Sequence, residues 1–132
     1  KCRGKRSPIK TTLLDQKFVV GVGNIYACEA LHNAGISPTK LAAKLVTKSG
    51  KPTKALEKLV DEVKIVLKKA IAAGGSTLND FADVDGNLGY FSHHFTIYGR
   101  EDQPCLKAGC SGTVERIVQS NRSTFWCQRC QK

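Results

Sequence analysis

Cys105-Leu106-Lys107-Ala108-Gly109-Cys110 and, after sixteen intervening residues, Cys127-Gln128-Arg129-Cys130 lie at the end of this 132-residue sequence. Cys-x4-Cys followed by Cys-x2-Cys is the spacing of two metal knuckles joined by a β-hairpin. Each short pair supplies one edge of a tetrahedron, and zinc takes four soft ligands at tetrahedral corners. Between the pairs, Thr113 to Gln119 and Arg122 to Trp126 read as strands joined by a turn at Ser120-Asn121. An isolated hairpin is marginal in water, so one zinc ion on Cys105, Cys110, Cys127 and Cys130 is expected to supply the missing stability. Four thiolates leave no open position for water, which makes that zinc structural rather than hydrolytic. The competing reading of six cysteines is a disulfide framework. Against it, Lys1 to Lys10 is basic and polar, with no apolar segment of the secretory kind behind it, and reduced thiols are expected. Cys2 and Cys28 stand apart from the cluster and read as free thiols, Cys28 as a small packing residue on a helix.

The chain carries 21 Lys and Arg against 11 Asp and Glu, a net charge of +10 that draws it toward polyanions. No apolar run reaches the ~20 residues of a membrane helix. Five of the first ten residues are basic, namely Lys1, Arg3, Lys5, Arg6 and Lys10. Such a run is either a solvated tail or a contact surface. At the hairpin tip, Arg122 can fork two hydrogen bonds onto a phosphate. Trp126, Phe125 and Tyr98 read as a small core for the finger, and four cysteines leave His93 and His94 to packing rather than metal.

Upstream the pattern is helical. Leu13, Leu14, Phe18 and Val19 share a face that ends at Gly21-Val22-Gly23, and Asn24 reads as the N-cap of a helix burying Ile25, Cys28 and Leu31 as far as Gly35. A third helix is expected from Ser37, with Pro38 at its first position and Leu41, Ala42 and Leu45 inside. The strongest periodicity follows, with Leu56, Leu59, Val60, Val63, Leu67, Ala70 and Ile71 behind a Thr53 cap and before Gly74-Gly75. From Ser76 to Ser92 the periodicity is lost in a long loop, and Phe95 to Tyr98 reads as a short strand. The Gly-x-Gly turn opening into a helix is either a tight connection or a seat for a phosphate with Asn24 as donor. The fold class expected is mainly α, with a C-terminal zinc-bound β-hairpin.

Leu13-Leu14-Asp15-Gln16-Lys17-Phe18-Val19-Val20-Gly21-Val22-Gly23-Asn24-Ile25-Tyr26, with Glu29-Ala30-Leu31 and Ala34-Gly35-Ile36-Ser37-Pro38, resembles the helix-two-turns-helix motif of bacterial formamidopyrimidine-DNA glycosylases. Gly74-Gly75-Ser76-Thr77-Leu78, Asp80-Phe81, Asp85-Gly86, Gly89-Tyr90-Phe91, Tyr98-Gly99-Arg100 and the four-cysteine finger resemble the same family's lesion-capping loop and zinc finger, in the same order. The resemblance implies three regions: a helix-two-turns-helix DNA-binding region over 1–74, a capping loop over 75–92 and a four-cysteine zinc finger over 93–132. It implies a cytoplasmic, monomeric parent enzyme that removes oxidised purines such as 8-oxoguanine and formamidopyrimidines from damaged duplex DNA and cleaves the resulting abasic site.

In that family an N-terminal proline amine attacks the sugar and a neighbouring glutamate serves as acid, both in a domain that this sequence does not contain. The chain therefore reads as the C-terminal half, expected to bind DNA and to be inactive alone. By the same resemblance, Asn24 and the amide region of Gly23 hold a phosphate near the lesion, and Arg6 and Lys10 contact DNA ahead of the first helix. Arg122 grips the opposite strand and carries a proton-donor role in δ-elimination. A guanidinium is suited better to the phosphate than to proton transfer. Thr77, Asn79, Tyr90 and Phe91 belong to the capping loop, Asn79 standing where the family commonly has a basic residue. The alternative is a complete, non-catalytic zinc-ribbon module that binds nucleic acid without chemistry, or a structural subunit whose finger meets protein.

Overall fold

The structure, a computed structural model, describes residues 6–15, 23–72 and 95–132. Its elements are α1 (Ile9–Leu14), α2 (Asn24–Ala34), a 3-10 turn (Ala42–Leu45), α3 (Lys54–Ala72), β1 (Val114–Gln119) and β2 (Arg122–Cys127). The capping-loop residues Thr77, Asn79, Tyr90 and Phe91 lie outside the described residues, as do Cys2, Phe18, Val19, Gly74, Gly75, His93 and His94.

Helix α2 organises everything else. Eight of its eleven residues are buried, which is the pattern of a helix covered on nearly all sides rather than on one stripe. Ala27, Ala30, Leu31 and Ala34 face a helical core shared with Ile9 and Leu13 of α1, Ile36, Leu45, and Leu59 and Val66 of α3. Cys28 faces a second core made with Ile97, Val114, Phe125 and the zinc-site cysteines. The helix stops at Gly35, whose φ of +74° is a left-handed conformation that glycine adopts without a Cβ penalty. The Ile36 amide then bonds back to the Leu31 carbonyl at 3.0 Å.

Helix α3 carries the opposite design, with one apolar stripe. Thr53 caps it, its Oγ1 accepting the Leu56 amide at 3.3 Å. The stripe runs through Leu56, Leu59, Val63 and Val66, the spacing of three and four that keeps side chains on one face. Val60, expected on that face, is 46% exposed; one residue on from Leu59 it is rotated about 100° away.

Three further expectations are corrected. Asn24 is not the N-cap of α2: Gly23 occupies that position, and Asn24 is the first helical residue. The segment after Ser37 does not form a regular helix but turns and reaches the 3-10 turn only at Ala42. The reason lies in α1, whose first amides have no partner within the helix. The carbonyls of Lys40 and Pro38 accept from the amides of Ile9 (2.6 Å) and Lys10 (3.4 Å), and Ser7 O accepts from the Ala42 amide at 2.9 Å. Those carbonyls are therefore lost to a local helix. Finally, Phe95 to Tyr98 is not a strand. Three successive amides, of Thr96, Ile97 and Tyr98, all point at one carboxylate, that of Glu29, whereas a strand alternates the direction of successive amides.

The hairpin follows the sequence closely. β1 and β2 pair antiparallel from Val114↔Cys127 to Gln119↔Arg122. Ser120 and Asn121 both have positive φ, 50° and 64°, as a two-residue turn matching the twist of its strands requires. β2 buries Thr124, Phe125 and Cys127 and lies against α2. The Phe125 ring stands 4.7 Å from that of Tyr98, edge to face, which bears out those two as finger core. Among the described residues, no helix is long and apolar enough to cross a membrane.

Candidate zinc centre and nucleic-acid interface

The metal site assembles from two turns and the end of a strand. Cys105 and Cys110 flank a turn closed by the Cys110 amide on Lys107 O at 3.0 Å, with Gly109 at φ +79°. Cys127 ends β2 and Cys130 sits on the turn after it. All four Sγ atoms lie within 4.8 Å of one another, with Cys105 and Cys130 3.8 Å apart and Cys110 and Cys127 3.6 Å apart. Zinc–sulfur bonds of ~2.3 Å at tetrahedral angles demand sulfurs about 3.8 Å apart, so the donors fit the ion in number, type and spacing. The Gly112 amide is the main influence holding the Cys110 thiol down to about 7, while burial pushes Cys105 up. Crowded sulfurs of this kind are stabilised as thiolates by a divalent cation.

Gly112 is a residue that sequence reasoning passed over. Its amide donates to Cys110 Sγ at 3.4 Å. A Cβ placed on it would lie 2.6 Å from Cys127 Sγ and 2.8 Å from Arg129 Cβ. Gly112→Ala should therefore displace a ligand, at an overpacking cost of about 1–3 kcal/mol. The expected result is zinc lost roughly tenfold more readily to a chromophoric chelator, a loss of the size typical when groups supporting metal ligands are removed.

The finger is clasped to α2 by buried polar groups that composition did not reveal. Glu29, 3% exposed, accepts from the Thr96 amide (2.7 Å) on one oxygen, which also lies 3.0 Å from the Thr96 hydroxyl oxygen, and from the amides of Ile97 and Tyr98 (2.9 Å each) on the other. Gln131 is equally buried and bridges the two parts, its Oε1 accepting the Cys127 amide at 2.8 Å and its Nε2 donating to Ile36 O at 2.9 Å. His32 places Nε2 3.3 Å from Cys105 Sγ. A signal was present in the sequence: Glu29 and His32 interrupt an otherwise apolar run on a helix. Buried polar side chains in such a run require partners.

Three of the residues singled out for DNA converge on one junction. Asn24 Nδ2 donates to Ser123 O at 3.0 Å, the carbonyl of the residue that follows Arg122. Lys10 Nζ donates to the same carbonyl at 3.3 Å and to Thr124 Oγ1. Lys10 is fully buried, so its ammonium has internal partners where the sequence suggested a contact with DNA. Burial is the largest influence on it and lowers its pKa, with Cys28 opposing and Arg122 adding to the fall. Arg122 itself is exposed at the rim of a cleft of ≈ 300 Å³ lined also by Ser7, Thr11, Asp15 and Ser120. Gly23 and Arg6 are exposed as well. Gly23 marks the end of α2 where first-turn amides and the helix dipole project positive potential.

Comparison with known proteins agrees with this architecture. Residues 1–82 match the formamidopyrimidine-DNA glycosylase H2TH domain family, and residues 102–132 match the zinc finger found in FPG and IleRS. The formamidopyrimidine-DNA glycosylase of Chelativorans sp. (strain BNC1) is 54% identical over 129 residues, covering 98% of this chain and 43% of the relative. That of Agrobacterium fabrum is 55% identical over 129 residues, with 98% and 43% covered. Among solved structures, the MutM (Fpg) protein of Thermus thermophilus superposes with a TM-score of 0.80 at 39% identity, covering 98% of this chain and 47% of that one. Lactococcus lactis Fpg in complex with DNA containing an abasic site gives a TM-score of 0.80 at 30% identity, with 99% and 44% covered. The chain thus spans less than half the length of these relatives. With the helical region and the four-cysteine finger both matched in fold and order, and with a donor set that suits one structural zinc, the chain belongs to the formamidopyrimidine-DNA glycosylase H2TH family.

Proposed function

We propose that this chain is the DNA-gripping part of a DNA glycosylase and AP lyase that removes oxidised purines from duplex DNA in base excision repair. The observation that carries the reading is the junction of α1, α2 and β2, where Asn24 and Lys10 bond to the carbonyl following Arg122. It sits on a chain of net charge +10. Asn24, whose Nδ2 donates to Ser123 O, stands at the Gly23 end of α2 and, with the first-turn amides there, forms the seat for a phosphate. Lys10 acts as a buried strut that sets the position of β2. Arg122 takes a second phosphate contact and Arg6 a third. The zinc supplies rigid stabilisation of the hairpin, and the chain's own residues do the binding.

In this reading residues 1–74 form the helical grip, 93–132 the finger, and 75–92, with Thr77, Asn79, Tyr90 and Phe91, the loop that covers the lesion. Excision and strand cleavage require a proline amine and a glutamate from a preceding domain, so this chain alone binds without excising. The parent acts as a cytoplasmic monomer, and Arg122 serves it also in δ-elimination.

The test is duplex affinity against salt. Binding should weaken steeply, with a log–log slope near −0.9 per neutralised phosphate. Arg122→Ala should reduce that slope by about one such increment and lower affinity roughly tenfold, the equivalent of about 1.5 kcal/mol for a charge-assisted hydrogen bond, with zinc retained. A flat salt response, or an unchanged slope in the variant, would remove the proposal.

A further inference from the structure

We propose that His32 is a positioning residue for the zinc site: from α2 it donates its Nε2–H to the zinc-bound Cys105 thiolate, so that the helical core helps to orient and quench a metal ligand. The imidazole is 2% exposed. Nε2 lies 3.3 Å from Cys105 Sγ and Nδ1 lies 3.2 Å from Thr96 Oγ1. Helical spacing explains the placement. Cys28 and His32 are four apart, on the side of α2 turned to the finger, whereas Ala27, Ala30, Leu31 and Ala34 fill the helical core.

Proton accounting assigns the direction of the bond. A zinc-bound cysteine carries no proton, so the proton on the line from Nε2 to Sγ belongs to the imidazole. In the neutral ring Nδ1 is then an acceptor, and the Thr96 hydroxyl turns its single proton toward it. Glu29 then keeps three donors, the amides of Thr96, Ile97 and Tyr98. The relay runs Thr96 hydroxyl to Nδ1, then Nε2–H to sulfur. Metal ligands are commonly oriented by such outer partners, and removing one weakens metal retention by ~10–100-fold. Four thiolates on one divalent ion leave excess negative charge on sulfur, which makes the site open to electrophiles and oxidants. An N–H pointed at Cys105 draws off part of that charge, as the Gly112 amide does at Cys110. A buried histidine serving only as packing would do neither.

Two measurements on the zinc-loaded chain test the proposal. First, the unmutated protein, labelled with ¹⁵N, should show Nε2 protonated and Nδ1 bare, and with ¹¹³Cd in place of zinc the Nε2–H proton should couple to the metal. A ring protonated only at Nδ1, or no coupling to cadmium, would overturn it without any variant. Second, His32→Phe keeps a ring of similar size without the donor, and His32→Gln keeps a donor without the ring. The Phe variant should release zinc to a chelator, and react with iodoacetamide, about tenfold faster, and the Gln variant should recover most of the difference. Equal rates for the wild type and the Phe variant, or no recovery in the Gln variant, would sink the proposal.

Discussion

Removal of zinc by a chelator, or Cys127→Ser, should abolish amide protection along β1 and β2 and lower duplex affinity by well over tenfold, while α3 keeps its helical signal. Apart from the polar clasp to α2 at its two ends, the finger has little else to hold it. Its strands form a two-stranded sheet, and its apolar core consists largely of Ile97, Val114, Phe125 and the ligands themselves. In small zinc peptides the metal contributes an apparent ~10–16 kcal/mol at neutral pH, more than a core of this size can replace. The helical core, built from α1, α2 and α3 around Leu31 and Leu59, has no ligand in it and should survive. The loss of affinity follows from geometry, because Arg122 begins the strand that ends in Cys127, and a hairpin without its metal no longer aims it. Hydrogen exchange with and without chelator, alongside duplex titration, measures both effects. Hairpin protection that persists after stoichiometric zinc removal would refute the structural role.

Glu29→Gln should cost about 2–6 kcal/mol and lower the melting temperature by on the order of 10 °C or more. The carboxylate accepts from three backbone amides and donates to none. Replacing one oxygen by an amide group turns a donor toward two others, and each buried donor left unsatisfied costs ~1–3 kcal/mol. The effect should be local first. Protection of the amides of Thr96, Ile97 and Tyr98 should fall before that of α3, since these three lead into the finger and have Glu29 as their acceptor. Uniform loss across the chain, or stability equal to the wild type, would contradict this account of how α2 holds the finger.

Much of the architecture was legible from residue order. The cysteine spacing alone locates the metal, since a ligand set is defined by element preference and reach along a short turn. Ser120-Asn121 places the hairpin turn because positive φ is tolerated by few residue types, asparagine among them. Thr53 locates the start of α3, a cap being a contact between residues three apart. Elsewhere local reading failed where distant backbone intervened. Pro38 looked like the first residue of a helix, yet its carbonyl and that of Lys40 serve the orphan amides of α1. Phe95 to Tyr98 looked like a strand because of its aromatic and β-branched content, yet a carboxylate sixty-odd residues upstream gathers its amides.

The candidate site divides in the same way. Asn24, Arg122 and the four cysteines could be named from motif and chemistry, because each has a residue type matched to phosphate or zinc. Their mutual placement could not be read from the chain. Asn24 and Ser123 are 99 positions apart, Lys10 and Thr124 are 114, and periodicity carries no information across such distances. Lys10 shows the consequence: in sequence it belongs to a basic run and reads as a surface charge, and only packing of α1 against β2 turns it into a buried strut. Glu29 and His32 make the same point in reverse. Their polarity is plain from the sequence, but its purpose appears only when the finger folds back on α2. The elements and ligands thus follow from short-range stereochemistry and ligand preference. The junction that aims Arg122 follows from buried long-range hydrogen bonds, which exist only once the two cores have closed on the same helix.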